Sequence, residues 1–325
     1  MTISVTITTF NRLAMLKRAI QSVFDQSMQA ELVVVDDCSS DATDDYLASL
    51  IAPPGWTVRL SRNSHNIGHA ASMNIALSLA TGQWVKPLDD DDYLGPDCLR
   101  QLVDAIALGP TAVICSCLSM EVDESGREIR RTPRVGTAEV LRVPQEDVHF
   151  AMLMDRLPLG TTSRVAFDRS AAILVGGWDP TFEHNCDDVD LWVRLAGRGD
   201  AILINRQLVF ITVWSGSYNH RFSIQHRCET NMVMKAKIHS MVAERHRAGT
   251  PALKHIRNYL RLHWAVVALR ERKPAAALRL LLGSLLSANG WLLLFKAAIH
   301  RKTRKLRRDV RHFPLIPSDA LTTLT

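Results

Sequence analysis

The sequence predicts an α/β fold, a mostly parallel sheet flanked by helices, with a C-terminal helical appendage. Three observations lead there. Aliphatic or β-branched runs alternate with helical patterns five times in about the first 120 residues, as strands linked by crossover helices do. Leu32–Val35 is continuously aliphatic, the mark of a strand covered on both faces. From Glu229 onward the apolar spacing is wholly helical, which sets the last part of the chain apart.

Ile3 to Thr9 alternates and is β-branched, and Phe10-Asn11-Arg12 opens a helix with Leu16, Ala19, Ile20, Val23 and Phe24 on one face and Asn11 as N-cap. Leu32–Val35 ends in Asp36-Asp37, after which Ser39-Ser40-Asp41 caps a helix reaching about Ile51. A strand around Thr57 to Leu60 leads through Asn66-Ile67-Gly68 to a helix with Ala70, Met73, Leu77 and Ala80 on one side, stopped at Gly82. A short strand starting at Trp84 runs into acids, Leu99, Leu102, Val103 and Ile106 mark the next helix, and Ala112 to Met120 is a strand turning at Asp123-Glu124-Ser125-Gly126. About 30 residues of weak pattern follow. A strand at Thr162 to Phe167, a short helix and Gly176-Gly177-Trp178-Asp179 precede a helix with Val189, Trp192, Leu195 and Ala196 on one face. Strands near Ala201 to Asn205 and Leu208 to Trp214 close the body, and Ser215 to Arg227 is a polar loop. The expected division is residues 1–228 and 229–325.

At 47% hydrophobic and 22% charged residues, the composition is that of a globular protein and argues against disorder. The net charge of +6 is local: Lys296 to Arg311 holds eight Lys or Arg and one acid, Asp309, which leaves the rest of the chain at −1. A near-neutral body with a basic tail directs that tail to a polyanionic surface, anionic lipid or nucleic acid. Trp291-Leu292-Leu293-Leu294-Phe295 abuts the basic run, the pairing an in-plane membrane helix uses. No aromatic platform interleaves the basic residues, which argues against nucleic acid. The uncharged stretch Leu280 to Phe295 is too short, and too broken by Gly and polar residues, to span a bilayer. Six cysteines without C-x-x-C or zinc spacing, and no signal peptide before Ile3, lead to the expectation of a cytoplasmic protein with reduced thiols, peripheral on the cytoplasmic face of the membrane.

The chemistry concentrates in two acidic clusters. Asp89-Asp90-Asp91-Asp92 follows a buried strand directly, where adjacent carboxylates repel and need a partner to be tolerated. A hard divalent cation serves, since Mg²⁺ is held by one or two carboxylates plus substrate phosphates; the alternative is a solvated acidic loop. Parallel sheets bind ligands at the carboxyl ends of their strands, and three such ends carry Thr8-Thr9-Phe10, Asp36-Asp37 and the acidic run. The second cluster, Asp187, Asp188 and Asp190, lies around the first turn of a helix. Capping explains one acid there but not three. His220 is a further candidate for a metal or phosphate, or a solvated loop histidine.

The order Thr-Thr-Phe-Asn-Arg, Val-Val-Val-Asp-Asp-Cys-Ser-Ser-Asp, Asn-Ile-Gly, Leu-Asp-Asp-Asp-Asp, Gly-Gly-Trp-Asp and Asp-Asp-Val-Asp-Leu-Trp over residues 1 to 225 resembles the family 2 glycosyltransferases, whose fold is the Rossmann-like GT-A. The resemblance implies inverting transfer of a sugar from a nucleotide-sugar donor, a UDP-sugar first, to an acceptor hydroxyl, with Mn²⁺ or Mg²⁺. It implies that Thr8 and Phe10 hold the base, that Asp37 pairs with its edge, and that Arg12, Asn66 and Gly68 belong to the donor site. By the family pattern Asp89 and Asp90 face the ribose and sugar, Asp91 ligates the metal, and Asp187-Asp188 supplies the general base, with Asp188 the proton acceptor; His220 stays a separate candidate for the metal. Thr8 stands where the family often has Pro, Phe10 where it often has Tyr, Met73 where Arg is common, and Asp187 in place of the usual Glu. The implied partners are a nucleotide-sugar, a glycan or lipid-linked saccharide acceptor in cell-surface polysaccharide synthesis and an anionic membrane surface, with no nucleic acid. Two other classes remain: a non-catalytic nucleotide-sugar-binding protein of the same fold, and a nucleotidyltransferase. The latter expects a glycine-rich phosphate loop after the first strand, and Thr8 to Arg12 has no glycine.

Overall fold

The computed structural model describes residues 1–182, 186–216, 222–303 and 310–316. The chain forms two compact units: the first takes Met1–Gln145, Leu159–Trp214 and the segment from His312, the second Glu146–Pro158 and Ser215–Arg311. The division at Trp214 falls ahead of the expected residue 228, because the last long strand of the first unit ends at Thr212.

The first unit is a mixed sheet between helices. Strands β1 (Ile3–Thr9), β2 (Glu31–Asp36), β3 (Thr57–Arg62) and β4 (Trp84–Asp89) run parallel in the order β3-β2-β1-β4. All residues of β1 and β2 are buried, as their β-branched and aliphatic content requires of central parallel strands, whereas β3 is the exposed edge. Helix α1 (Leu13–Phe24) buries Leu16, Ala19, Ile20 and Val23, the expected face, into a core with Val5, Ile7, Leu32 and Val34. Each buried Leu, Ile or Val contributes roughly 1.5–3 kcal/mol of burial. Helices α2 (Thr43–Ala48) and α3 (His69–Leu79) complete the crossovers, α2 ending short of Ile51.

Beyond β4 the sheet mixes directions. A two-residue β5 (Tyr93–Leu94) and helix α4 (Cys98–Leu108) lead to β6 (Ala112–Val122), which turns at Asp123–Gly126 into β7 (Glu128–Arg131), as expected. The weakly patterned stretch holds β8 (Val140–Val143) and α5 (Gln145–Leu153). Strand β9 (Val165–Asp168) lies antiparallel between β4 and β6; Thr162–Arg164 ahead of it is a 3-10 turn and not strand. After α6 (Arg169–Leu174) and α7 (Asp187–Leu195), the two expected closing strands are one, β10 (Asp200–Thr212), whose register against β6 shifts between Ile204 and Gln207. A bulge absorbs the extra residues without ending the strand. Phe167 packs against Trp178 and Trp192, ring centroids 5.5 and 5.8 Å away.

The second unit is helical: α8 (Ile224–Ser240), α9 (Glu244–Arg247), α10 (Leu253–Arg270), α11 (Pro274–Leu282) and α12 (Ala288–Thr303), with most of α5. Its polar centre is Asp147, a fully buried carboxylate that accepts from His246 Nε2 at 2.8 Å and Arg311 N at 2.6 Å and forms an ion pair with Arg245 at 3.1 Å. Burial pushes this carboxyl up, but the bonds from Arg311 and His246 outweigh it and hold it below its usual range. Past α12, β11 (Phe313–Ile316) pairs antiparallel with β8 in the first unit's sheet. All six cysteines are free thiols. No described helix is long and apolar enough to cross a membrane.

Candidate active site

The candidate residues gather where β1, β2 and β4 end. Asn11 is held at φ 55°, and its side-chain Oδ1 accepts from the Ser40 amide at 2.7 Å and the Asp41 amide at 3.3 Å. Its side chain therefore fixes the loop after β2 and does not cap α1 as expected; Asp41 reaches back instead, accepting from the Leu13 amide at 3.2 Å. Asp41 also accepts from the Thr43 amide at the start of α2, so one carboxylate serves two helices.

The acidic run divides by exposure. Asp90 is 3% exposed, accepts from Thr9 Oγ1 at 2.8 Å and Arg12 at 2.7 Å, and is pushed up to about 6 by burial against the pull of Arg12. Asp92, equally buried, accepts from the Thr212 amide at 3.0 Å and anchors β10. Asp89 and Asp91 keep side-chain exposures of 30% and 15%. Burial and the neighbouring Asp89 raise Asp91, while a 2.9 Å hydrogen bond from Trp214 Nε1 opposes them. The Arg12 guanidinium stands 3.7 Å from Asp91 and over the Trp214 ring.

The second cluster meets the first through His69. Nδ1 of His69 is 2.8 Å from Asp187 and Nε2 is 3.7 Å from Asp89. Burial lowers the imidazole, but its hydrogen bond to Asp187 and the nearby Asp89 carboxylate raise it well above the ordinary value, so it stands as a cation between two carboxylates. Asp188, beside Asp187 on the first turn of α7, is pushed up to about 7 by burial and then by the Asp187 charge. Asn74 of α3 exchanges hydrogen bonds of 2.8 Å with the Trp178 backbone in both directions, and Gly177 leaves no room for a Cβ, which would lie 2.3 Å from Asn74 Oδ1. This clasp connects α3, which begins at His69, to the segment leading into α7.

The geometry sorts the remaining expected residues. Asp37 is 4% exposed and accepts from Asn63, the Ile67 amide and the Gly68 amide at 2.8, 2.9 and 2.9 Å; it shapes the loop carrying Asn66 and the left-handed Gly68. Phe10 is 43% exposed at the end of β1, with Thr8 8% exposed beneath it. His220 lies outside the described residues. Among the described residues no three His, Cys, Asp or Glu side chains are grouped as metal ligands. A hard divalent ion that takes one or two carboxylates and completes its shell with phosphate oxygens fits Asp91, a carboxylate raised by burial and by its neighbour.

A family model described as "Glycosyl transferase family 2" matches residues 4–171, about half of the 325 residues. The chain belongs to glycosyl transferase family 2. The succinoglycan biosynthesis protein ExoO of Rhizobium meliloti is 35% identical over 138 residues, 42% of this chain and 37% of that protein. The GalNAc(5)-diNAcBac-PP-undecaprenol beta-1,3-glucosyltransferase of Campylobacter jejuni is 28% identical over 145 residues, 43% of this chain and 47% of that protein. Each match thus spans less than half the length of the curated relative. Among solved structures, S. aureus TarS 1-349 in complex with UDP-GlcNAc superposes with a TM-score of 0.57 at 16% identity, covering 95% of this chain and 93% of that one. The family 2 chain therefore has the GT-A fold, with helices following it.

Within that family frame, sequence patterns miss three residues of the site. His69 and Trp214 meet carboxylates 118 and 123 positions away, beyond any local pattern. Arg18 faces out of the expected apolar stripe of α1, yet it donates to the Asp91 carbonyl at 2.8 Å and to Thr212 at 2.6 Å.

Proposed function

We propose that this family 2 chain is an inverting, metal-dependent glycosyltransferase that moves a sugar from a UDP-sugar to a glycan or lipid-linked saccharide in cell-surface glycan synthesis. The observation that carries the reading is the bridge by His69, which brings Asp89 and Asp187 to opposite sides of one imidazole. It supports a division of labour in which the end of β4 handles the donor and the start of α7 handles the acceptor.

In this reading Phe10 and Thr8 contact the base, Asp89 meets the sugar or ribose, and Asp91, aimed by Trp214 and Arg12, holds Mn²⁺ or Mg²⁺. The ion, when bound, neutralises charge on the departing diphosphate. Asp188 takes the proton of the acceptor hydroxyl; its elevation to about 7 suits a base working near neutrality. Asp187 stays ionised, since burial is outweighed by the hydrogen bond from His69, and keeps Asp188 basic. The names of ExoO, a succinoglycan biosynthesis protein, and of the Campylobacter glucosyltransferase, which cites an undecaprenol-linked saccharide, support the acceptor class; UDP-GlcNAc in TarS supports the donor class. Exposed Leu282, Leu286, Trp291 and Phe295 on α11 to α12, next to the basic run, support an anionic membrane surface as partner, on the cytoplasmic face.

The test is thermal denaturation of wild type and Asp91→Ala with UDP, GDP, dTDP or CMP, each with Mn²⁺ or EDTA. A ligand at about a hundred times its Kd stabilises by about 2.7 kcal/mol. We expect a shift with UDP that EDTA and Asp91→Ala both abolish. No shift with any nucleotide would sink the donor assignment.

A further inference from the structure

Helices α11 and α12 and the turn between them pack inside out. Of residues 274–299, those that are buried are Ala277, Ser284 and Gly290, all small. A Cβ on Gly290 would stand 3.1 Å from the Asn258 Cβ, so α12 begins in close contact with α10. The large side chains point the other way: Leu278, Leu282, Leu285, Leu286, Trp291 and Phe295 are all exposed, Leu286 to 97%. A surface helix ordinarily turns its large apolar residues toward the core. Reversed over two successive helices, the pattern marks a surface that something covers.

The turn is also built to lose water. The Ser284 and Leu285 amides donate to the Leu281 carbonyl at 2.9 and 2.8 Å, and the Ser287 amide donates to the Ser284 carbonyl at 3.0 Å. The Ser284 hydroxyl donates to the Leu280 carbonyl at 3.0 Å, and the Ser287 hydroxyl accepts from Asn258 Nδ2 at 3.0 Å. Trp291 Nε1 closes the turn by donating to the Leu285 carbonyl at 2.8 Å. Polar groups bonded inside the protein no longer need water, which is the condition for entering an apolar phase. Leu285 and Leu286 lie in the middle of this turn, free of the core.

Charge selects what covers the surface. No Asp or Glu occurs from Arg272 to Arg308. A second copy meeting this face about a two-fold axis would set two acid-free, basic stretches against each other, whereas a lipid surface with anionic headgroups attracts them. The nine residues of α11 rise roughly 14 Å, half of a hydrocarbon core of about 30 Å, so the helix pair enters one leaflet. We infer that the turn between α11 and α12 inserts Leu285, Leu286 and Trp291 at the boundary of headgroups and acyl chains, and that this apolar insertion, more than the basic run, holds the protein on a bilayer. The inference deepens the proposed membrane partner, on which it rests, and is independent of the donor reading.

The experiment floats the full chain with phosphatidylcholine vesicles, with and without phosphatidylglycerol, at low salt and at 1 M, where the screening length is about 3 Å. We expect wild type to float on phosphatidylcholine alone at both salt concentrations. Leu286→Ser should weaken partitioning by about tenfold, and the double variant with Leu285→Ser by about a hundredfold. Leu286→Trp, which suits the interface, should hold or tighten it. Leu286 is exposed, so the serine variant should melt with wild type in lipid-free buffer, and a folding defect would show there. Flotation that needs phosphatidylglycerol and disappears at 1 M salt would keep the membrane as partner and overturn the insertion. Leu286→Ser partitioning like wild type would overturn it as well. No flotation under any condition would overturn both the insertion and the membrane partner, and a dimer in sedimentation that Leu286→Ser dissociates would then assign the surface to a second copy.

Discussion

Trp214 donates its indole N–H to Asp91 across 2.9 Å, tying the residue just past β10 to the acidic turn after β4. The bond selects one orientation of a carboxylate that burial would otherwise neutralise. Trp214→Phe keeps the ring under Arg12 and removes only the donor. Loss of one hydrogen bond to a buried charged group costs about 1.5–3 kcal/mol, so the melting temperature should fall by some degrees and UDP binding in Mn²⁺ should weaken by about tenfold. Calorimetric titration decides it; unchanged affinity would leave Trp214 without a role at the metal.

On the proposed role, Asp188 would set the pH dependence. With its carboxyl pushed up to about 7, the base form grows as pH rises through that value, so kcat/KM should climb from acid pH and level off above about 7. Asp188→Asn should lower kcat by about a hundredfold or more while leaving the nucleotide-induced thermal shift intact. A profile flat across neutrality in the wild type would remove Asp188 from the proton transfer.

His69 titrates in the opposite sense. Its folded pKa is raised above the unfolded value, so its stabilisation is fully present below about pH 6.5 and is lost as pH rises through the folded value. The ring keeps 40% side-chain exposure, and solvent screening reduces the effect. As pH rises above about 6.5 the wild-type melting temperature should fall relative to that of His69→Gln. Parallel curves would show that the bridge carries no net stabilisation.

Asn11 combines a positive φ with hydrogen bonds to Ser40 and Asp41. Asn11→Gly keeps the backbone geometry and loses the bonds; Asn11→Ala loses both. The left-handed conformation adds about 1–2 kcal/mol for Ala, so chemical denaturation should rank wild type above Gly and Gly above Ala. An Ala variant as stable as the Gly variant would contradict the strain.

The parallel half of the fold is legible because β1, β2 and α1 are organised by burial alone: Leu16, Ala19, Ile20 and Val23 read as one face and are one face. The acidic clusters were also legible, since carboxylates after apolar runs stand out. What local pattern does not reveal is which acid does which job. In the sequence Asp37 and Asp90 cannot be told from Asp89 and Asp91, whereas the structure gives them hydrogen bonds from Asn63, two backbone amides, Thr9 and Arg12. Strand β8 is four residues long and pairs only with partners distant in sequence, so its stretch carries no period of its own. The single β10 reads as two strands because the bulge interrupts its alternation.

The chain passes from one unit to the other four times, after Gln145, Pro158, Trp214 and Arg311. Cutting at Trp214 to isolate the first unit would leave Asp147 in the retained piece without His246, Arg245 and Arg311, and would remove β11 from the edge of β8. Even trimming from residue 296 takes Arg311 and β11. A shortened protein would therefore carry an orphaned acid and a newly open sheet edge, so its loss of activity or membrane attachment would report misfolding before it reported function. Dissecting this molecule calls for point substitutions on the intact chain.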